Sequence, residues 1–215
     1  IIRCACQLYL AEGLEGFSMR KLAKCVGCTA PALYRHYESK EAVMREVVSE
    51  AYRLFAEYLY RALVGGTPEE RFRLAGQSYL DFAIEQPALY EVLYVPPDLL
   101  GIQPGSSEGE NDHACAVGRF WSDRVREMMD AGFFHEGDVD EVSLVLWSHA
   151  HGMISLYHRG LLGVSSDGEF RVLLTASYRL LLRGIGTETY QALVGEGATA
   201  VDQQQADGKS GIAVR

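Results

Sequence analysis

The chain has 215 residues, a formal net charge of −9, and is 48% hydrophobic and 23% charged. That balance describes a globular chain long enough for one large domain or two small ones, and it excludes a disordered chain or a protein that is basic throughout. No apolar run approaches the roughly 20 residues a bilayer span needs, and five cysteines, an odd number grouped mostly near one end, argue against a secreted disulfide framework and for a reducing cytoplasm.

The opening IIRCACQLYL is apolar and lacks Met, so it reads as a truncated start with no visible signal peptide. Helix punctuation then recurs and strand alternation is scarce, which predicts an all-α fold. A first helix over about 1–12 stops at Gly13, a left-handed C-terminal residue. Ser18 N-caps a short helix ending near Gly27. Thr29 caps the next, a helix of about two turns with Pro31 in its first turn, where a missing N–H costs little. Ser39 caps a long helix to about Leu63, closed by Gly65-Gly66.

The break GGTPEE reads as a hinge, with Thr67 as N-cap, Pro68 at N1 and Glu70 at N3 of a capping box. That helix runs to Gln86 and ends at Pro87; a short helix follows to about Val95. Residues 98–112 (DLLGIQPGSSEGEND) read as a mobile loop. Helices over about 113–131, 138–159 and 168–184 follow, and the small, polar stretch 195–215 reads as a disordered tail. The expected organisation is an N-terminal three-helix module over 1–46, a helical module over 47–194, and the tail.

Charge is uneven along this plan. Residues 18–45 hold six Lys or Arg against two Glu, inside a chain that is acidic overall. A basic patch on an acidic body suits a protein that touches a polyanion with one small module. The same segment, SMRKLAKCVGCTAPALYRHY, has the anatomy of a helix-turn-helix. Leu22 and Ala23 face inward, Val26 and Leu33 plug either side of the turn, and Gly27 permits the corner. Thr29, Ala30, Pro31, Ala32, Tyr34, Arg35 and His36 face outward or sideways: small residues for close approach to a major groove, and donors for base edges and phosphates. Lys40 is a cation at the positive start of a helix, which makes sense with a DNA phosphate in front of it.

The stretch FSMRKLAKCVGCTAPALYRHYESKEAV resembles the DNA-binding signature of the TetR family of transcriptional regulators. The matching features are Arg20, Gly27, Leu33-Tyr34, His36-Tyr37 and Ser39-Lys40-Glu41. Cys28 departs from the aliphatic residue common at that turn. Downstream, ALYEVLY and LWSHAHGMISLY are more loosely similar to the regulatory half of one subset of the family. The resemblance implies a homodimeric, ligand-responsive repressor whose two recognition helices enter successive major grooves of a near-palindromic operator. By position it implies base reading by Arg20, Thr29, Ala30, Pro31 and Arg35, and phosphate contact by Ser18, Tyr34, His36 and Lys40.

Blander readings compete for several residues. Cys25 and Cys28 have the spacing of a metal clip, but structural zinc needs four ligands, and C-x-C at Cys4 and Cys6 on a helix points its sulfurs apart. The expectation is small apolar residues and no metal. His149, His151 and His158 sit two, seven and nine apart, not at the i, i+4 spacing of helical metal pairs. No catalytic constellation or cofactor motif stands out, so no enzyme activity and no cofactor are expected. The aromatic-rich second half reads first as a helical core. A regulator of this type also needs an apolar cavity, for which Tyr79, Phe82, Gln86, Tyr90, Trp121, Met128, His149, His151 and Met153 are the candidates. The last two helices are apolar around more of their circumference than a surface helix needs, which points to a four-helix dimer interface or to full burial in a monomer. The rival to a regulator is a helical small-molecule-binding protein or enzyme with no DNA role.

Overall fold

The computed structural model describes residues 1–100 and 112–195. The described residues are helical, with one isolated bridge between Phe134 and Gly186. The expected loop at 98–112 falls on a 3-10 turn, Pro97–Leu100, at its start and on the first residue of a helix, Asp112, at its end; the rest lies outside the described residues, as does the expected tail beyond residue 195. Among the described residues no helix is long and apolar enough to cross a membrane, and no group of three or more His, Cys, Asp or Glu is placed to hold a metal ion.

The helices are α1 (Ile2–Gly16), α2 (Met19–Val26), α3 (Ala30–Tyr34), α4 (Lys40–Tyr60), α5 (Pro68–Glu85), α6 (Pro87–Val92), α7 (Asp112–Asp130), α8 (Val139–His158) and α9 (Asp167–Ile185). A 3-10 turn, Arg61–Val64, extends α4, and residues 188–195 form a further helical segment, past the last helix expected and reaching the first residue of the expected tail. Local chemistry explains most of these limits. Ser18 and Ser39 accept the Lys21 and Ala42 N–H groups. Thr67 and Glu70 exchange the two bonds of a capping box. Asp138 and Ser166 cap α8 and α9. Gly13 does leave helical geometry, at φ 66°, but the chain resumes a helical turn to Gly16. The expected stop is therefore a kink.

Two compact units partition the chain, one of Ile1–Gly66 with Arg73–Trp121, the other of Thr67–Phe72 with the residues from Ser122 on. In the first, α1 packs on α2, α4 and α6, and α4 packs on α6 and on the Pro97–Leu100 turn. Its aromatic centre stacks Phe55 on Phe82 and sets Tyr79 and Tyr58 edge-on against them. In the second, Val125, Met128, Phe134, Leu146 and Tyr190 form the core. A half-buried Glu127 there accepts two bonds from Arg124 and one from Arg71, tying the start of α5 to α7.

Gly27 has φ 81°, and its N–H and that of Cys28 both donate to the Ala23 carbonyl. A β-branched residue in this left-handed conformation is strained by about 1–2 kcal/mol. Gly27→Val is expected to lower stability by that amount in urea denaturation, and Gly27→Asn, which tolerates the conformation, by less. Equal losses would show that the backbone angle is not what restricts the corner.

Candidate nucleic-acid interface and ligand site

The head is built from the buried side of α2. Met19, Leu22 and Ala23 are buried, and Leu33 is the buried residue of α3. Packing these four residues orients everything else on α3 outward. Tyr34 is 55% exposed, and Arg20, Thr29, Pro31, Arg35 and His36 are exposed, with Ala30, Ser18 and Lys40 half-buried. The nine residues expected to meet DNA thus lie on α2 and α3, in the turns beside them, and at the first residue of α4.

Two local details differ from expectation. Thr29 makes no side-chain cap bond; its carbonyl accepts the Ala32 and Leu33 N–H groups, so its hydroxyl is not spent on closing the helix. The helix itself has five residues instead of about two turns. The His36 and Tyr37 N–H groups both return to the Leu33 carbonyl, which turns the chain toward the Ser39 cap. Lys21, by contrast, is structural: its ammonium binds Glu12 and the Gly16 carbonyl, holding α2 against the end of α1.

The cysteines also differ. Cys4 of α1 and Cys25 of α2 are joined as a disulfide, whereas Cys6, Cys28 and Cys115 are free thiols. Cys25 and Cys28, expected to be small apolar residues, are instead both exposed, Cys25 bonded to Cys4 and Cys28 a thiol. Positions 4 and 6 do point apart on the helix; Cys6 enters the core, which leaves Cys4 facing α2.

The ligand candidates divide between the two units. Tyr79, Phe82, Tyr90 and Trp121 gather in the first. The Tyr79 hydroxyl lies 3.1 Å from that of Tyr90 and 2.9 Å from that of Tyr94. The Trp121 ring stands edge-on to Tyr79 at 6.0 Å, and its indole N–H is buried with no hydrogen-bond partner among the described residues. Burial pushes the Tyr79 and Tyr90 phenols far above their ordinary range, so both stay neutral. Gln86 stands at the start of α6, and its neighbour Glu85 accepts the Tyr58 hydroxyl at 2.7 Å. Tyr94 belongs to this cluster, and sequence reasoning left it among general core aromatics. Its i, i+4 spacing from Tyr90 was the available signal.

In the second unit Met128 is fully buried in the core described above. His149 bonds Ser177 at 3.0 Å and lies edge-on to Tyr178, joining α8 to α9, and burial holds it below the usual imidazole range. His151 stacks on Trp147 of the same helix, and Met153 is half-buried on α8.

Helices α8 and α9 pack together, and their other faces are apolar and exposed. On α8 these are Leu144, Val145, Trp147 and Leu156; on α9 they are Val172, Leu173 and Leu180. Positions 172, 176 and 180 form one stripe on α9, with Ala176 at its centre.

Residues 1–47 match the family model for bacterial regulatory proteins of the tetR family, and residues 72–183 match that for the tetracyclin repressor-like C-terminal domain. The HTH-type transcriptional repressor KstR2 of Mycobacterium tuberculosis is 30% identical over 148 residues, covering 66% of this chain and 72% of the relative. The solved structure of the ketosteroid transcriptional regulator KstR2 of Mycobacterium tuberculosis aligns with a TM-score of 0.68 at 20% identity, covering 87% of this chain and 93% of that one. The fatty acid degradation regulator FadR from Bacillus halodurans aligns with a TM-score of 0.70 at 16% identity, covering 84% and 92%.

Proposed function

Because the chain belongs to the tetR family of bacterial regulatory proteins, and is thus a DNA-binding transcriptional regulator, we propose that it is a cytoplasmic, homodimeric repressor released from its operator by a small molecule. It acts by binding and not by catalysis. Residues 1–46 read DNA, and residues 47–194 bind the effector and the partner subunit. The observation that carries this reading is the head: one buried face on α2 and α3, and an outward set of small, aromatic and cationic residues on a basic segment. Arg20, Thr29, Ala30, Pro31 and Arg35 read bases, and Ser18, Tyr34, His36 and Lys40 hold phosphates.

The effector is an apolar or amphipathic molecule that carries hydrogen-bond-accepting oxygen. Two features support this. The Tyr79, Phe82, Tyr90 and Trp121 cluster is aromatic but neutral and hydroxylated, and the Trp121 N–H is a buried donor without an acceptor among the described residues, a situation native proteins rarely leave unanswered. The similar repressor KstR2 is described as a ketosteroid regulator, and a ketosteroid is an apolar skeleton bearing acceptor oxygens. Tyr90 sits on α6, which packs on both α1 and α4, so a ligand that moves α6 reaches the helices framing the head. It weakens DNA binding only by binding the DNA-free arrangement more tightly.

A panel of apolar ketones, esters and carboxylic acids tests this in one experiment with two readouts, melting temperature and retention on a DNA duplex from upstream of the gene. A cognate molecule raises the first and lowers the second. Tyr79→Phe, which removes one buried hydroxyl, is expected to weaken that molecule by about tenfold, the worth of one hydrogen bond, with operator binding intact. A panel in which nothing moves both readouts would sink the ligand-responsive reading.

A further inference from the structure

Neither dithiol-like motif pairs within itself. C-x-C contributes Cys4 and C-x-x-C contributes Cys25, 21 residues apart in sequence, with Cα atoms 5.9 Å apart, inside the range a disulfide requires. Cys25 is exposed and Cys4 half-buried, so small oxidants and reductants reach the pair. Cys25 stands two residues before Gly27, the corner that aims the recognition helix. From this placement we propose that Cys4 and Cys25 form a reversible thiol–disulfide switch in the DNA-binding head, an input separate from the effector site.

In a reducing compartment the pair rests as two thiols. A hydroperoxide oxidises one thiol to a sulfenic acid, releasing the corresponding alcohol or water. The second thiol then displaces water to form the disulfide. Two equivalents of a low-molecular-weight thiol reverse the change, leaving two protein thiols and one small disulfide. The bridge clamps the last turn of α2 to α1, adding a covalent link to side-chain packing and to the Lys21 contacts with Glu12 and Gly16.

The bridged head is also the one with the left-handed Gly27, the buried Leu33 and the outward α3 described above. The oxidised form is therefore the stiffer form and the tighter binder of the operator. The reduced head spends part of its time out of register and binds correspondingly less tightly.

The full-length protein, treated with hydrogen peroxide or with dithiothreitol, tests this by three readouts. Peptide mapping without reduction is expected to find Cys4 linked to Cys25 only after peroxide, with Cys6, Cys28 and Cys115 still free. The melting temperature of the oxidised form rises by roughly 5–10 °C, the scale of one disulfide in a domain of this size, and operator affinity rises several-fold. Cys4→Ser and Cys25→Ser each abolish all three responses, whereas a Cys28→Ser/Cys115→Ser variant keeps them. Absence of the linked peptide, linkage through Cys28 or between chains, or a bridge that dithiothreitol cannot open in the folded protein would overturn the proposal. So would a reversible bridge that leaves melting and affinity unchanged. Mapping and melting need no DNA, so their outcome is independent of the operator reading.

Discussion

Val172→Asp combined with Leu180→Asp is expected to turn the protein into a monomer and to cost it roughly 10²–10⁴-fold in operator affinity. The two side chains are 71% and 66% exposed, and with Ala176 they form a stripe two helical turns long. Val172, Leu173 and Leu180 continue the exposed apolar face of α8, where Leu144, Val145, Trp147 and Leu156 lie. Large apolar residues concentrated in this way mark an interface. An isologous dimer through α8 and α9 makes the patch self-complementary and gives two recognition helices for a near-palindromic site. Each aspartate would appear twice in such an interface, close to its own symmetry mate, and would have to be desolvated without a cation. The monomer loses only exposed side chains, so its fold survives. Each head can still touch a half-site, but the second contact is no longer intramolecular. Sedimentation velocity reads the subunit state and a gel shift reads affinity. A variant that sediments as a dimer would show that the interface lies elsewhere.

Tyr34→Ala with Lys40→Ala is expected to abolish operator binding in a folded dimer. Tyr34 stands on the open side of α3 and Lys40 at the first residue of α4, flanking the turn where the backbone of a groove-bound duplex would pass. At about 1 kcal/mol for each phenol bond and about 2 for each ammonium, the four contacts of a dimer are worth roughly 6 kcal/mol, about four orders of magnitude in affinity. Lys40→Ala alone leaves weaker binding. Its dependence on salt should flatten, with the log–log slope smaller by about 2 because two phosphates are no longer neutralised. Circular dichroism and a cooperative melt check that the fold is kept, as expected from the exposure of Tyr34 and the solvent-facing half of Lys40. An unchanged gel shift would overturn the assignment of both residues to the phosphate backbone.

The head was legible because it is local. Ser18, Gly27, Leu33 and Ser39 act on groups within four residues of themselves, and their bonds or burial appear where the spacing put them. The capping box at Thr67 and Glu70 is legible for the same reason. Where local reasoning stopped short, a neighbouring backbone group competed with the side chain. Thr29 closes α3 with its carbonyl instead of its hydroxyl, and the chain past Gly13 finds one more helical turn. The ligand candidates fared differently, since an aromatic residue at helical spacing carries the same signal in a core and in a cavity. Met128 and Tyr79 look alike in sequence. One fills a core beside Phe134, while the hydroxyl of the other meets those of Tyr90 and Tyr94.

By itself, then, the sequence determined the all-helical class, most helix ends, the helix-turn-helix and its outward residues, and the family. These depend on hydrogen bonds and steric limits a few residues long. Only the tertiary structure decided that Cys4 meets Cys25 while Cys6 is buried and Cys28 free, that Tyr94 joins Tyr79 and Tyr90, and which faces of α8 and α9 stay uncovered. Each of those outcomes is a distance between separate helices, set by how their side chains pack, and no spacing within one helix encodes it.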